Sequence, residues 1–152
     1  MKQFHVLAIA AAMACGCTPS FAAVHATKDQ AVAMVKKAVA AIKAQGAATV
    51  YKEITAKDPQ FKQNDSYVVV YGLDGTVLAH GSNAKLVGKN LINVTDVDGT
   101  PFVQQRVAMA KKQPSFWQDY KFVDPSTKKI EPKEMYCERV DQTAVCSGVY
   151  KP

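Results

Sequence analysis

Arg106 is the residue of this chain whose placement most needs a chemical explanation. In the segment 101–112, Phe102, Arg106 and Met109 are spaced for one face of a helix, and Val103, Val107 and Ala110 for the adjoining one. That sets a guanidinium at the edge of an apolar stripe. A buried Arg must be paired. It would hold a carboxylate with two parallel N–H donors, or lay its stem along the stripe and carry its charge to water. A pocket for a small anion needs such a cation, or several hydrogen-bond donors, walled by apolar groups. Tyr67 and Tyr71 offer hydroxyls. In the run YVVVY, Tyr67, Val69 and Tyr71 share one strand face by period two, and Val68 and Val70 share the other. Turned elsewhere, the Tyr face is simply core or surface. Trp117 and Tyr120 stand at an odd–even offset on one strand and so face opposite ways. At most one of them lines a pocket, and Trp117 is the expected wall, as a stacking partner or as core.

Cysteine usage is the next chemical signal. Cys15 and Cys17 lie in a leader-like segment, which leaves Cys137 and Cys146, an even number. In an exported chain a disulfide is the default reading. Residues 134–140 and 143–150 read as strands, with Asp141-Gln142 as a two-residue turn. That register pairs Val140 with Thr143 and, counting back, Cys137 with Cys146, at a non-hydrogen-bonded position where side chains sit closer. The turn residues depart from the favoured Asn-Gly. Cys137 and Cys146 as a metal pair would need two further ligands. His25 and His80 are the only nearby types, and nothing in the spacing supports a metal site. No cofactor is expected either.

Catalytic arrangements are not expected. There is no Gly-x-Ser-x-Gly elbow, and Ser147 sits in Cys-Ser-Gly inside a strand. Gly88-Lys89-Asn90 lacks the upstream glycine of a phosphate loop, and Asp96-Val97-Asp98-Gly99 lacks the later Glu of a calcium loop. The chain is expected not to be an enzyme. Lys and Arg outnumber Asp and Glu by five in residues 23–152, but the excess is spread along the chain. Pairs such as Lys36-Lys37 and Lys128-Lys129 have no interleaved aromatics, which argues against nucleic acid as a partner. A positive balance mildly favours anionic small molecules.

These residues must be positioned by a single domain. The chain has 152 residues, and residues 1–22 read as a signal peptide. Lys2 supplies the positive start, residues 6–14 a short apolar run, and Ser20-Phe21-Ala22-Ala23 the small residues, with cleavage after Ala22 or Ala23. Ala14-Cys15 and Gly16-Cys17 meet the minimum for a lipoprotein signal but lack the large aliphatic residue before it. A lipid-anchored form is therefore the lesser alternative to a periplasmic or secreted one.

Residues 23–152 then form the domain. Residues 27–45 read as an amphipathic helix with Thr27 and Gln30 as a capping box. Gly46 ends it, and a shorter helix follows over 47–56. Strands are expected at 67–71, 76–80, 116–123, 135–140 and 144–150, with a loop over 81–99 and a helix opened by Pro101. Five antiparallel strands with helices on one side make an α+β domain of two layers.

That element order, together with DGTVLAHG (Asp74–Gly81), LVGKNL (Leu86–Leu91), DVDGTPFV (Asp96–Val103), FWQDYKF (Phe116–Phe122), DPSTKKIEPKEMY (Asp124–Tyr136) and VCSGVYK (Val145–Lys151), resembles the single Cache domain family, an extracytoplasmic relative of the PAS fold. The resemblance implies a PAS-like five-stranded antiparallel sheet with the long N-terminal helix packed on it. It also implies a small ligand, often an organic acid or amino acid, held between one sheet face and the loop-plus-helix segment capping it. His80 would then lie near the pocket mouth, and Lys133 just before the fourth strand. Most relatives are outer domains of membrane chemoreceptors or kinases, so a receptor or kinase is the expected partner class. The form expected here is free-standing, a monomer or a homodimer paired through the N-terminal helix. The rival reading is an interaction protein whose pocket is filled by side chains.

Overall fold

The first helix begins where its capping residues dictate. Thr27 Oγ1 accepts from the Gln30 N–H at 3.2 Å, and Gln30 Oε1 accepts from the Thr27 N–H at 2.8 Å. Helix α1 (Lys28–Gln45) ends at Gly46, whose φ of 87° suits a residue without a Cβ, and α2 (Ala47–Thr55) follows at once. The structure, a computed structural model, describes residues 25–151. The expected signal peptide over residues 1–22, with its cleavage point and with Cys15 and Cys17, lies outside the described residues. Among the described residues no helix is long and apolar enough to cross a membrane.

Six strands follow: β1 (Lys62–Gln63), β2 (Ser66–Gly72), β3 (Val77–His80), β4 (Ser115–Val123), β5 (Ile130–Val140) and β6 (Thr143–Tyr150). Every pairing is antiparallel. The long strands run in the order β3-β2-β6-β5-β4, and the two-residue β1 adds to β2. The five expected strands are therefore present, with β1 as a small addition. Strand β2 is buried along its whole length. Its alternation sends Val68 and Val70 to one side and Tyr67, Val69 and Tyr71 to the other.

Two cores result. Val68, Val70 and Val145 meet the apolar stripe of α1 (Met34, Val35, Ala38, Val39, Ile42) and Val50 and Ile54 of α2. On the opposite face, α3 (Phe102–Lys112) and the preceding loop pack on Tyr67, Tyr71, Tyr120 and Met135. The expectation of helices on one side is therefore corrected: α3 makes a third layer. The apolar set Phe102, Val103, Val107 and Ala110 is too large to leave in water, and the Tyr face of β2 needs a cover.

The loop before α3 is held by its own polar residues. Asp96 accepts from the backbone N–H groups of Asp98, Thr100 and Lys121, which ties the loop to β4. These donors hold its carboxyl below the usual carboxylate range, that of Lys121 most of all. The Asp96–Gly99 segment is thus a backbone staple.

The β5–β6 hairpin has the expected register: Val140 pairs with Thr143 and Cys137 with Cys146, and the two cysteines form a disulfide. Their Cα atoms lie 4.1 Å apart, as in a narrow non-hydrogen-bonded pair. Asp141 takes a positive φ of 50° in the turn, which an Asp tolerates. Strand β5 starts earlier than expected, at Ile130, so it carries Pro132 and Lys133 inside it. Pro132 has no N–H to donate, but its carbonyl accepts from the Lys151 N–H at 2.9 Å.

The disulfide closes a loop of sequence separation 9. Closure of so short a loop should add about 2.7 kcal/mol by restricting the unfolded chain. Urea unfolding of the oxidised protein and of the double variant Cys137→Ser/Cys146→Ser should show that difference. Coincident midpoints would mean the bridge contributes nothing to stability.

Candidate functional site

Strand alternation explains which side chains meet beneath α3. On β5, Lys133, Met135 and Cys137 face that side; on β6, Cys146 and Tyr150; on β4, Phe116 and Tyr120; and on β2, Tyr67 and Tyr71. Lys133 from this set, Arg106 from α3 and His80 at the end of β3 carry or can carry charge, and all three are buried.

Arg106 is wholly inaccessible, and none of its three guanidinium nitrogens has a hydrogen-bond partner among the described residues. Its Cζ lies 4.8 Å from the ring centre of Tyr71, 5.0 Å from that of Tyr120 and 5.5 Å from that of Phe102. Phe102 and Tyr120 stack on each other at 4.7 Å. The guanidinium therefore lies in an aromatic cage that supplies cation–π attraction but no acceptor. Of the placements open to it, snorkelling to water is not the one adopted.

Lys133 is likewise fully enclosed. Its Nζ donates to the hydroxyls of Tyr67 and Tyr150, each at 3.1 Å, and lies 4.2 and 4.4 Å from their ring centres. Tyr150 in turn donates to the Val123 carbonyl at 2.7 Å. Burial, and after it the charge of Arg106, lowers the lysine pKa to about 7. Burial also drives the Tyr67 and Tyr120 hydroxyls well above their ordinary range and raises that of Tyr150, so these phenols stay neutral donors. The stem of Lys133 needs Gly148: a Cβ there would lie 2.6 Å from Lys133 Cε and 2.9 Å from the Glu134 carbonyl.

His80 ends β3 and stacks on Tyr67 at 5.1 Å between ring centres. Its Nδ1 accepts from the backbone N–H groups of Ser82 and Asn83 at 3.2 and 3.0 Å, so it needs the neutral ring protonated on Nε2. Burial, with the charge of Lys133 second, lowers its pKa to about 4. His80 thus fixes the turn out of β3 and backs the tyrosine that holds Lys133.

Five of the six expected site residues converge: Tyr67, Tyr71, His80, Arg106 and Lys133. Trp117 does not. It lies on the opposite sheet face, partly exposed, 5.3 Å from the Tyr136 ring and under the Lys28 ammonium. The reason is the composition of β4. Phe116, Gln118, Tyr120 and Phe122 alternate against Trp117, Asp119 and Lys121, so the even set is the apolar one and turns inward. Tyr120 takes the wall position. Tyr150 was not singled out, although it stands four residues beyond Cys146 and shares its face by period two.

Cations with neutral phenols around them can bind and orient an anion.

Comparison with known proteins agrees with this architecture. The model of the family described as Single Cache domain 2 matches residues 20–150. A methyl-accepting chemotaxis protein from Vibrio parahaemolyticus superposes with a TM-score of 0.70 at 20% identity, over 81% of this chain and 87% of that one. A Cache chemosensory domain described for carboxylic acid recognition does so with a TM-score of 0.68 at 22% identity, over 82% of this chain and 92% of that one. At such identities these likenesses speak for the fold. In sequence, the chain is 33% identical over 88 residues to the sensor histidine kinase MctS of Rhizobium johnstonii, over 57% of its own length. It spans only 19% of that kinase. With the family model matching nearly all of the described residues, the chain belongs to the single Cache domain family.

Proposed function

We propose that this chain is an exported sensory module, periplasmic or secreted, that binds a small organic acid or amino acid by its carboxylate at Arg106 and Lys133. One observation carries the reading. Arg106 is a completely buried cation with no hydrogen-bond acceptor among the described residues, placed near a second buried cation, on the sheet face that the α3 layer covers. Leaving a buried charge unpaired costs several kcal/mol. A carboxylate would accept two parallel bonds from the guanidinium and a third from Lys133 or a tyrosine hydroxyl. The structural neighbour described for carboxylic acid recognition supports the ligand class. The kinase and chemotaxis relatives support delivery of the signal to a membrane receptor or kinase. Pairing through α1 as a homodimer belongs to the same proposal.

A thermal-shift screen of the purified protein against short carboxylates and amino acids tests it. Ligand at about 100 times its Kd should add roughly 2.7 kcal/mol of stability. Arg106→Met should remove that gain while leaving the free protein at least as stable as wild type, because a matched apolar chain replaces an unpaired charge. Arg106→Lys should bind weakly, since an ammonium lacks the planar fork. Absence of any hit across a broad panel would favour the interaction-protein reading, in which Tyr71, Tyr120 and Phe102 alone satisfy the guanidinium.

Lys133 gives a pH signature. Below pH 7 it is protonated in both folded and unfolded chains. Between about 7 and the ordinary lysine value of 10.5 the folded chain has lost the proton and the unfolded chain still holds it, so stability should rise with pH over that window. Carboxylate affinity should fall over the same window, because binding then requires a proton to be restored. Lys133→Met should flatten the Lys133 contribution to the stability slope in denaturant titrations at pH 6 to 10. An unchanged slope would place the titration elsewhere.

A further inference from the structure

A second cluster of ionisable groups lies where the chain enters α1. We propose that His25, Asp65 and Asp124 form a site for a divalent transition-metal cation of the zinc type. The three residues come from three separate places: the segment ahead of α1, the turn before β2 and the turn after β4. His25 Nδ1 lies 2.9 Å from Asp65 Oδ2 and 3.8 Å from Asp124 Oδ2, and one ligand atom from each residue falls within 4.8 Å of the others. Three donors bound to one ion at about 2.0–2.2 Å would stand a little over 3 Å apart, so small side-chain adjustments suffice.

The partners of each group show what is missing. Asp65 is fully used: Oδ1 accepts from the Ala26 N–H at 2.7 Å and Oδ2 from His25. Asp124 is not. It is completely buried and its Oδ1 accepts from the Ser126 N–H, but its Oδ2 faces the cluster with no hydrogen-bond partner among the described residues. Burial of an unpartnered carboxylate oxygen is expensive. Charge adds a second reason. Two buried carboxylates with one imidazolium leave a net negative charge, and Glu131 adds to the field at His25. A divalent ion with neutral imidazole balances the pair. The donor set, one imidazole and two carboxylates, suits zinc and its neighbours better than calcium, which takes six to eight oxygens. His25 is part-exposed, which leaves a route of entry and a position for water. The proposal stands apart from the carboxylate reading, because none of the three residues belongs to the Arg106 cage.

The test uses the purified protein stripped with chelator and titrated with zinc chloride, with bound metal counted by mass spectrometry and binding followed by calorimetry. One equivalent per chain should bind, raise the thermal midpoint and shift the His25 imidazole resonances. Asp124→Asn keeps the side-chain shape and, with a native circular dichroism spectrum, should weaken zinc by at least about tenfold. His25→Gln should do the same. No stoichiometric zinc in the wild type, stoichiometric zinc retained unchanged in both variants, or calcium bound in preference to zinc would overturn the site.

Discussion

The fold depends on a strand buried on both faces. Because β2 has no residue in water, its period-two alternation assigns each side chain to one of two interiors. The valines go to an aliphatic interior under α1 and α2, where close packing is the whole contribution. The tyrosines go to the interior beneath α3, where aromatic rings and cations share the space. Both sides bury an apolar core, and the side beneath α3 carries buried cations within it as well.

That division has an energetic consequence. Placing Arg106 and Lys133 in one interior sets two like charges in a medium that screens poorly. The structure offsets this in three ways. Rings of Tyr71, Tyr120 and Phe102 face the guanidinium. Two phenol oxygens accept from the ammonium, and the lowered lysine pKa lets the group shed its charge near neutrality. Each measure is partial, and an anion is the one addition that serves both cations at once. A stability optimum would have replaced them with apolar residues.

The helical and hairpin parts were legible because local chemistry decides them. Thr27 and Gln30 cap α1 whatever the tertiary context, and a two-residue turn counts Cys137 onto Cys146 by arithmetic alone. Failures came where a tertiary partner decides. Trp117 is the largest side chain of β4, but size does not choose a face; the summed apolarity of Phe116, Tyr120 and Phe122 does. The family resemblance set Lys133 just before the fourth strand, whereas pairing with β4 on one side and β6 on the other draws it inside β5. Tyr150 becomes a site residue only because Gly148 opens the space through which the Lys133 stem passes. The His25 cluster spans nearly the length of the domain in sequence, and no local spacing brings three such residues together.

The two clusters are not independent. Asp65 precedes Ser66 and Tyr67 on β2, and Asp124 follows Val123, whose carbonyl takes the Tyr150 hydroxyl. Tyr67 and Tyr150 are the two hydroxyls that hold Lys133. Asp65 and Asp124 also act through space, since their charges raise the proton affinity of Lys133 against the effects of burial and Arg106. A cation bound between them would cancel that support and make the ammonium easier to deprotonate. The same added positive charge would also draw an anion directly, so the two clusters are coupled through charge, and linkage makes that coupling reciprocal.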